Sequence, residues 1–184
     1  QDAKKLSFDE GLQVLPETLY ARVRQAVRLH CVVTEIRRSP AGWWVTSQGE
    51  QSAAPCEHAA VLYAGTAHKL AELQLLADRP VDLSLFGQVY YPPVTSVVLG
   101  FRRADVSHPL DGFGMLIPKV EGFSILGTLF SSSLFPGRAP ADHVTLTSYV
   151  GGVRNPLLAL KPFDELVALT AKDLRSILGI SGYP

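Results

Sequence analysis

The sequence predicts an α+β chain, with a mixed or antiparallel sheet whose helices pack on one face and a smaller strand-rich segment before it. Three observations carry that expectation. Residues Gly112 to Gly152 read as three strands laid side by side, in which Leu116, Leu126, Leu129, Leu134, Phe135 and Tyr149 offer a broad apolar and aromatic face. Lys161 to Gly179 carries helix signals, with Phe163, Leu166, Val167, Leu174, Ile177 and Leu178 recurring at helical spacing, so the helix is expected across the back of that sheet. Residues 29 to 64 supply three short β-prone runs.

In chain order, Leu15 to Arg28 is expected as an amphipathic helix, with Pro16 at its first position and Leu15, Leu19, Val23 and Ala26 on one side. Leu29 to Arg38 and Trp43 to Ser47 then read as strands across a Ser39–Gly42 turn, and Ala59 to Ala64 as a buried third strand. Thr66 can cap a second helix through about Leu76, and Ala77 to Phe86 is too mixed to assign. Tyr91-Pro-Pro-Val94 stops any ladder and marks a boundary between subdomains, after which Val94 to Phe101 is strongly β-prone. The final helix opens with Pro162 early and with Asp164 and Glu165 favourably placed against the macrodipole, and Gly179 ends it. Arg154 and Asn155 are expected to cap and position this helix.

Composition narrows the function. A chain of 184 residues with 47% hydrophobic residues can build a real core. Seventeen basic and seventeen acidic residues give zero formal net charge, which removes the electrostatic footprint of a nucleic-acid binder. A mean hydropathy of +0.15 with 18% charged residues leaves apolar surface for a partner. Two cysteines make no disulfide framework and fit a reducing compartment, no apolar run approaches the roughly 18 residues of a membrane span, and the first residues form neither a signal nor a transit peptide. A cytoplasmic location is expected, with peripheral membrane association left open. The abrupt start at Gln1 and end at Pro184 look like those of an excised piece.

The search for catalytic motifs is mostly negative. Gly112-x-Gly114 is followed by Ile117 where a dinucleotide fingerprint needs its third glycine. Five scattered histidines and a single Cys56-x-His58 give no metal-ligand set, so no metal is expected. Ser131-Ser-Ser133 lacks a nucleophile elbow, and adjacent Asp142 and His143 point apart in a strand. What remains is the apolar face, which suits a large flat ligand. Ordinary turn glycines beside ordinary core residues produce the same pattern, and the residues alone leave both readings open.

Four linked motifs give the face a context. Gly112-Phe-Gly-Met-Leu-Ile-Pro118, Ile125-Leu-Gly-Thr-Leu-Phe-Ser-Ser132, Phe135-Pro-Gly-Arg-Ala-Pro140 and Val150-Gly-Gly-Val-Arg-Asn155 follow one another in an order and spacing that resembles the protoporphyrinogen oxidases, flavoenzymes of the amine-oxidase superfamily. The resemblance continues more weakly to Phe8–Leu15 and to Asp173–Gly179. It implies an FAD-dependent parent that oxidises protoporphyrinogen IX with oxygen, by hydride transfer from a macrocycle carbon to the flavin. It also implies that the piece in hand comprises a flavin-domain segment, residues 1–76, and most of a substrate-binding domain, residues 77–184. The hard chemistry belongs to the cofactor in such enzymes, and the family's phosphate-binding Gly-rich turn has no counterpart here. The resemblance therefore places no catalytic residue in this chain and implies that the chain alone binds no flavin and is inactive.

By the same resemblance Phe113, Gly114, Leu116, Leu129 and Tyr149 face the tetrapyrrole, and Val33 holds the adenine edge through main-chain groups. Glu10 stands where the family has the first of paired glycines. The implied partners are a tetrapyrrole, the remaining flavin-domain segments of the same protein, and a second copy of the chain through uncovered apolar surface. Two rival readings stand beside this one: another superfamily oxidase acting on amines or carotenoids, and a non-catalytic apolar-ligand or interaction domain.

Overall fold

Two sheets organise the chain in the computed structural model, which describes residues 6–51 and 54–184. They belong to separate compact units: one runs from Glu10 to Tyr91, and the other joins Pro92–Pro184 to the segment ending at Asp9. The division falls at the Pro92-Pro93 pair, where missing N–H groups stop a ladder. This partition differs from the functional one at residue 76, since Pro80–Val81 still pairs with Gln74–Leu76 inside the first unit.

The Glu10–Tyr91 unit opens with α1 (Val14–Val23) and a 3-10 turn over Arg24–Ala26. Pro16 lies in the first turn and not at the first position, which the helix tolerates because its first four N–H groups have no intrahelical partner. No residue of α1 is buried: Leu15, Leu19 and Val23 form a stripe that stays about half exposed. Strands β1 (Cys31–Arg38), β2 (Trp43–Gly49), β3 (Cys56–His58), β4 (Gln74–Leu76) and β5 (Pro80–Val81) form a mixed sheet in the order β3-β2-β1-β4-β5, with β1 and β4 parallel.

Two expectations fail in this unit, each for a stated reason. Ala59–Ala64 is not a strand: His58 already pairs with Trp43, so the next residues run past the end of β2 and have no ladder to join. Leu62 is 92% exposed. The helix after Thr66 is only α2 (Ala67–Leu70), and Thr66 makes no side-chain cap bond. The chain turns at Ala71–Leu73 so that Leu75 can lie opposite Ile36 in the sheet. Tertiary pairing overrides the helical propensity of that stretch.

The second unit is an antiparallel sheet of β6 (Val94–Arg102), β7 (Gly114–Leu116), β8 (Ile125–Leu129) and β9 (His143–Gly151), in the order β6-β9-β8-β7. The strand period of two splits its residues cleanly. Val97, Leu99 and Phe101 of β6 and Val144, Leu146 and Val150 of β9 point one way and are buried. Helix α4 (Phe163–Leu178) covers that side, contributing Leu166, Ala171, Leu174 and Leu178 to one continuous core. Phe163, expected on the packed stripe, is 78% exposed. It occupies the first helical position, before the stripe reaches the sheet.

Helix α4 ends as expected at Gly179, whose φ of +61° closes a left-handed cap. Its cap at the other end is Pro162. Arg154 and Asn155 do not perform that role: Arg154 Nη2 donates to the Ile117 carbonyl at 2.8 Å, and Asn155 precedes a separate 3-10 turn, Pro156–Leu160. Inside the core, Asp173 of α4 is buried and accepts the Ser124 and Ile125 N–H groups at 2.6 and 3.0 Å, which ties the start of β8 to the helix.

Candidate functional site

The side of the antiparallel sheet turned away from α4 presents two cross-strand rows. In the first, Gly114 of β7 lies opposite Leu129 of β8, Leu129 opposite Thr147 of β9, and Thr147 opposite Val98 of β6. In the second, Leu116 lies opposite Gly127, Gly127 opposite Tyr149, and Tyr149 opposite Ser96. Four of the five residues expected to face a ligand thus share one surface. Leu116 is 91% exposed, and Leu129 and Tyr149 are half-buried. Phe113 stands one residue before β7, half exposed, with its carbonyl accepting from Phe130 N–H at 3.1 Å.

Glycines flatten the middle of this surface. A Cβ on Gly127 would come within 2.5 Å of the Met115 carbonyl, and one on Gly114 within 2.2 Å of the Thr128 carbonyl. Both glycines are thus required by the neighbouring strand. The space near Gly114 is filled by β8, so close backbone approach there serves sheet pairing whether or not a ligand comes near.

One end of the surface is polar and closed. The short helix α3 (Ser131–Leu134), absent from the expected elements, places Ser131 Oγ 2.8 Å from Thr147 Oγ1 and lets Ser132 Oγ accept Thr145 N–H at 3.0 Å. That bond has a cause: β8 stops pairing at Leu129, so Thr145 N–H would otherwise lack an acceptor. Ser131 and Ser132 therefore finish β9 beyond the end of β8. Thr145 Oγ1 donates in turn to the Arg138 carbonyl, and Arg138 Nη2 holds Ser7 Oγ and the Phe8 carbonyl at 2.6 and 2.7 Å.

Apart from the Tyr149 phenol, the two rows carry no titratable group: their members are glycine, leucine, valine, serine and threonine. Such a surface recognises shape and apolar area, and the Tyr149 phenol is the one group on its two rows that could move a proton. Val98, 59% exposed on the edge strand β6, is a member that reading single segments misses. Alternation along β6 sets it opposite to Val97 and Leu99, but only the β6–β9 register places it beside Thr147.

Val33 lies in the other unit, on β1. It is half exposed and borders a cavity of about 430 Å³ lined by Val32, Thr34, Tyr63, Lys69 and Leu73. A bulge interrupts β1 between Val33 and Glu35, and the ladder to β4 begins only at Glu35. Among the described residues, the edge of β1 from Cys31 to Thr34 that faces away from β2 therefore has no strand partner.

The comparisons with known proteins match this arrangement. The sequence profile described as flavin containing amine oxidoreductase matches residues 2–184. Protoporphyrinogen oxidase 2, chloroplastic/mitochondrial, of Arabidopsis thaliana is 32% identical over 97% of this chain and 37% of its own length. The chloroplastic protoporphyrinogen oxidase of Oryza sativa is 33% identical over 94% of this chain and 33% of its own length. The chain thus spans about a third of these relatives. Their names place those proteins in the chloroplast or mitochondrion, in contrast to the cytoplasmic location expected from composition. Among the described residues no helix is long and apolar enough to cross a membrane.

Among solved structures, a proposed protoporphyrinogen oxidase from Exiguobacterium sp. 255-15 superposes with a TM-score of 0.70 at 21% identity, over 97% of this chain and 38% of that one. A redesigned putrescine oxidase gives 0.66 at 14% identity, over 92% and 35%. Both likenesses speak for the fold alone, an α+β arrangement. With the profile covering nearly every residue, the chain belongs to the flavin containing amine oxidoreductase family.

Proposed function

We propose that this chain is the substrate-binding portion, with one segment of the flavin domain, of an oxygen-dependent FAD oxidoreductase that converts protoporphyrinogen IX to protoporphyrin IX. The observation that carries the reading is the open sheet face: a flat, largely apolar surface of Leu116, Leu129, Val98 and Tyr149, backed by a rigid core and bare of charge. A tetrapyrrole macrocycle is flat and apolar over its faces, and its burial against such side chains is favourable by about 25 cal/mol per Å². The names of the relatives support the same substrate. An amine substrate would call for a different surface, since a cation is recognised by aromatic cages or carboxylates, and these rows offer neither.

In this proposal Leu116, Leu129 and Tyr149 form one wall of the pocket, Phe113 and Gly114 border it, and the functional domains divide at residues 1–76 and 77–184. Val33 and the unpartnered edge of β1 would hold the adenine of FAD. When bound, the flavin supplies the hydride-accepting chemistry; the residues of this chain bind and orient the macrocycle and exclude water from its face. The segments that hold the pyrophosphate lie in the remainder of a longer protein, so the chain alone is inactive and free of flavin. A water-facing position, peripheral to a membrane, in the compartment that makes the tetrapyrrole belongs to the same proposal.

The test is direct. The longer protein, loaded with FAD, is supplied in air with protoporphyrinogen IX, with coproporphyrinogen III and with putrescine in separate reactions. Porphyrin fluorescence should rise fastest with protoporphyrinogen, with oxygen consumed alongside. Oxygen consumption with the amine and none with either porphyrinogen would overturn the reading.

A further inference from the structure

On the five-stranded sheet, β3 carries two side chains that the proposed function does not use, beside a cavity that Val33 also borders. Cys56 and His58 lie two apart on β3 and so project to one side. Cys56 Sγ stands 3.1 Å from His58 Nε2, the thiol half-buried and the imidazole exposed. With the ring in its Nδ1–H tautomer the thiol donates to Nε2. The pair opens on a cavity of about 300 Å³ that is also lined by Arg28, Cys31, Val33 and Ser47. A nucleophile within hydrogen-bond reach of a base, beside room for a reactant and a cation, is the arrangement of an activated thiol.

Both cysteines are free. Cys31 cannot be the oxidising partner of Cys56: β2 lies between their strands, and at about 4.8 Å per strand their Cα atoms are separated by more than the roughly 7 Å a disulfide allows. The oxidant must therefore come from outside.

We propose that Cys56 and His58 form an S-thiolation site for low-molecular-weight anionic disulfides, of which oxidised glutathione is the type. Cys56 Sγ attacks one sulfur of the incoming disulfide as its proton passes to His58 Nε2. The new S–S bond forms while the old one breaks, and the departing thiolate takes the electron pair and then the proton from His58. One disulfide and one thiol give one mixed disulfide and one thiol, with the incoming disulfide as oxidant. Arg28 in the same cavity favours a reactant that carries carboxylates.

The test incubates the whole chain with oxidised glutathione at neutral pH and follows each cysteine by peptide mass spectrometry, with Cys31 as the internal reference. Cys56 should acquire the adduct at least about tenfold faster than Cys31. His58→Gln should bring its rate down to within about twofold of Cys31, and Arg28→Gln should slow oxidised glutathione more than the cationic disulfide cystamine. Equal rates at the two cysteines, or a His58→Gln chain that melts normally and keeps the fast rate, would overturn the proposal.

Discussion

At Gly114 the ladder leaves no room for a side chain, since its Cβ would press to 2.2 Å from the Thr128 carbonyl and its φ is +146°. Gly114→Ala should therefore destabilise the sheet by about 2 kcal/mol or more, from strain and backbone displacement together. Thermal melting in the absence of any ligand checks this, and an unchanged melting temperature would show that the strand can give way. Asp173 is the other residue whose surroundings define its role. Its buried carboxylate serves the Ser124 and Ile125 N–H groups, so Asp173→Ala strands both donors, and a loss of about 3 kcal/mol is expected by chemical denaturation. No sequence pattern announces that bond, because its partners are separated by nearly fifty residues and backbone donors carry no residue signature.

At the scale of elements, legibility follows the range of the forces involved. The strands of the Gly112–Gly152 stretch, the strand after Pro93 and the final helix could be read locally, because alternation, β-branching and the caps at Pro162 and Gly179 are all short-range signals. Ala59–Ala64 and the stretch after Thr66 misled because their fate depends on where β2 ends and on what Leu75 meets. Helix α3 was invisible for a related reason: Ser132 acquires a purpose only once β9 needs an acceptor for Thr145. The candidate face shows the same limit, for its apolar members could be listed from the sequence, while the two rows and the place of Val98 required the register.

A small element also yields a pH dependence. Asp82 Oδ1 accepts Ser84 N–H at 2.9 Å at the start of the 3-10 turn Ser84–Gln88, and this hydrogen bond holds the carboxyl below its ordinary 3.8. The contribution is present above that ordinary value and is lost as the pH falls through the lower folded one. Faster hydrogen exchange at the Ser84 amide in Asp82→Asn than in the unaltered chain at neutral pH, with a narrower gap in strong acid, is the expected signature. A gap that persists unchanged in strong acid would contradict it.

For the whole molecule, two outcomes follow from a chain that spans about a third of its relatives. Purified alone, it should carry no stoichiometric flavin, because among the described residues no Gly-rich turn leading into a helix offers N–H groups to a pyrophosphate. Flavin absorbance that stays with the protein through gel filtration would contradict this. The uncovered apolar stripes, α1 in one unit and the Leu116–Tyr149 surface in the other, should also drive self-association. Sedimentation should show dimers or larger species at high concentration, whereas a strict monomer would count against large partner surfaces.

The central claim is that the open face of the antiparallel sheet is a substrate wall, and a matched pair of substitutions in the longer protein tests it most directly. Leu129 and Leu146 lie on opposite faces of that sheet, the first half-buried on the open side and the second fully buried under α4. Leu129→Arg should keep the melting temperature and flavin content but lose roughly a hundredfold or more in kcat/KM for protoporphyrinogen, because an unpaired guanidinium must be desolvated against the macrocycle. Leu146→Arg should fail to fold. A Leu129→Arg protein that is folded, flavin-replete and normal in turnover would contradict the assignment.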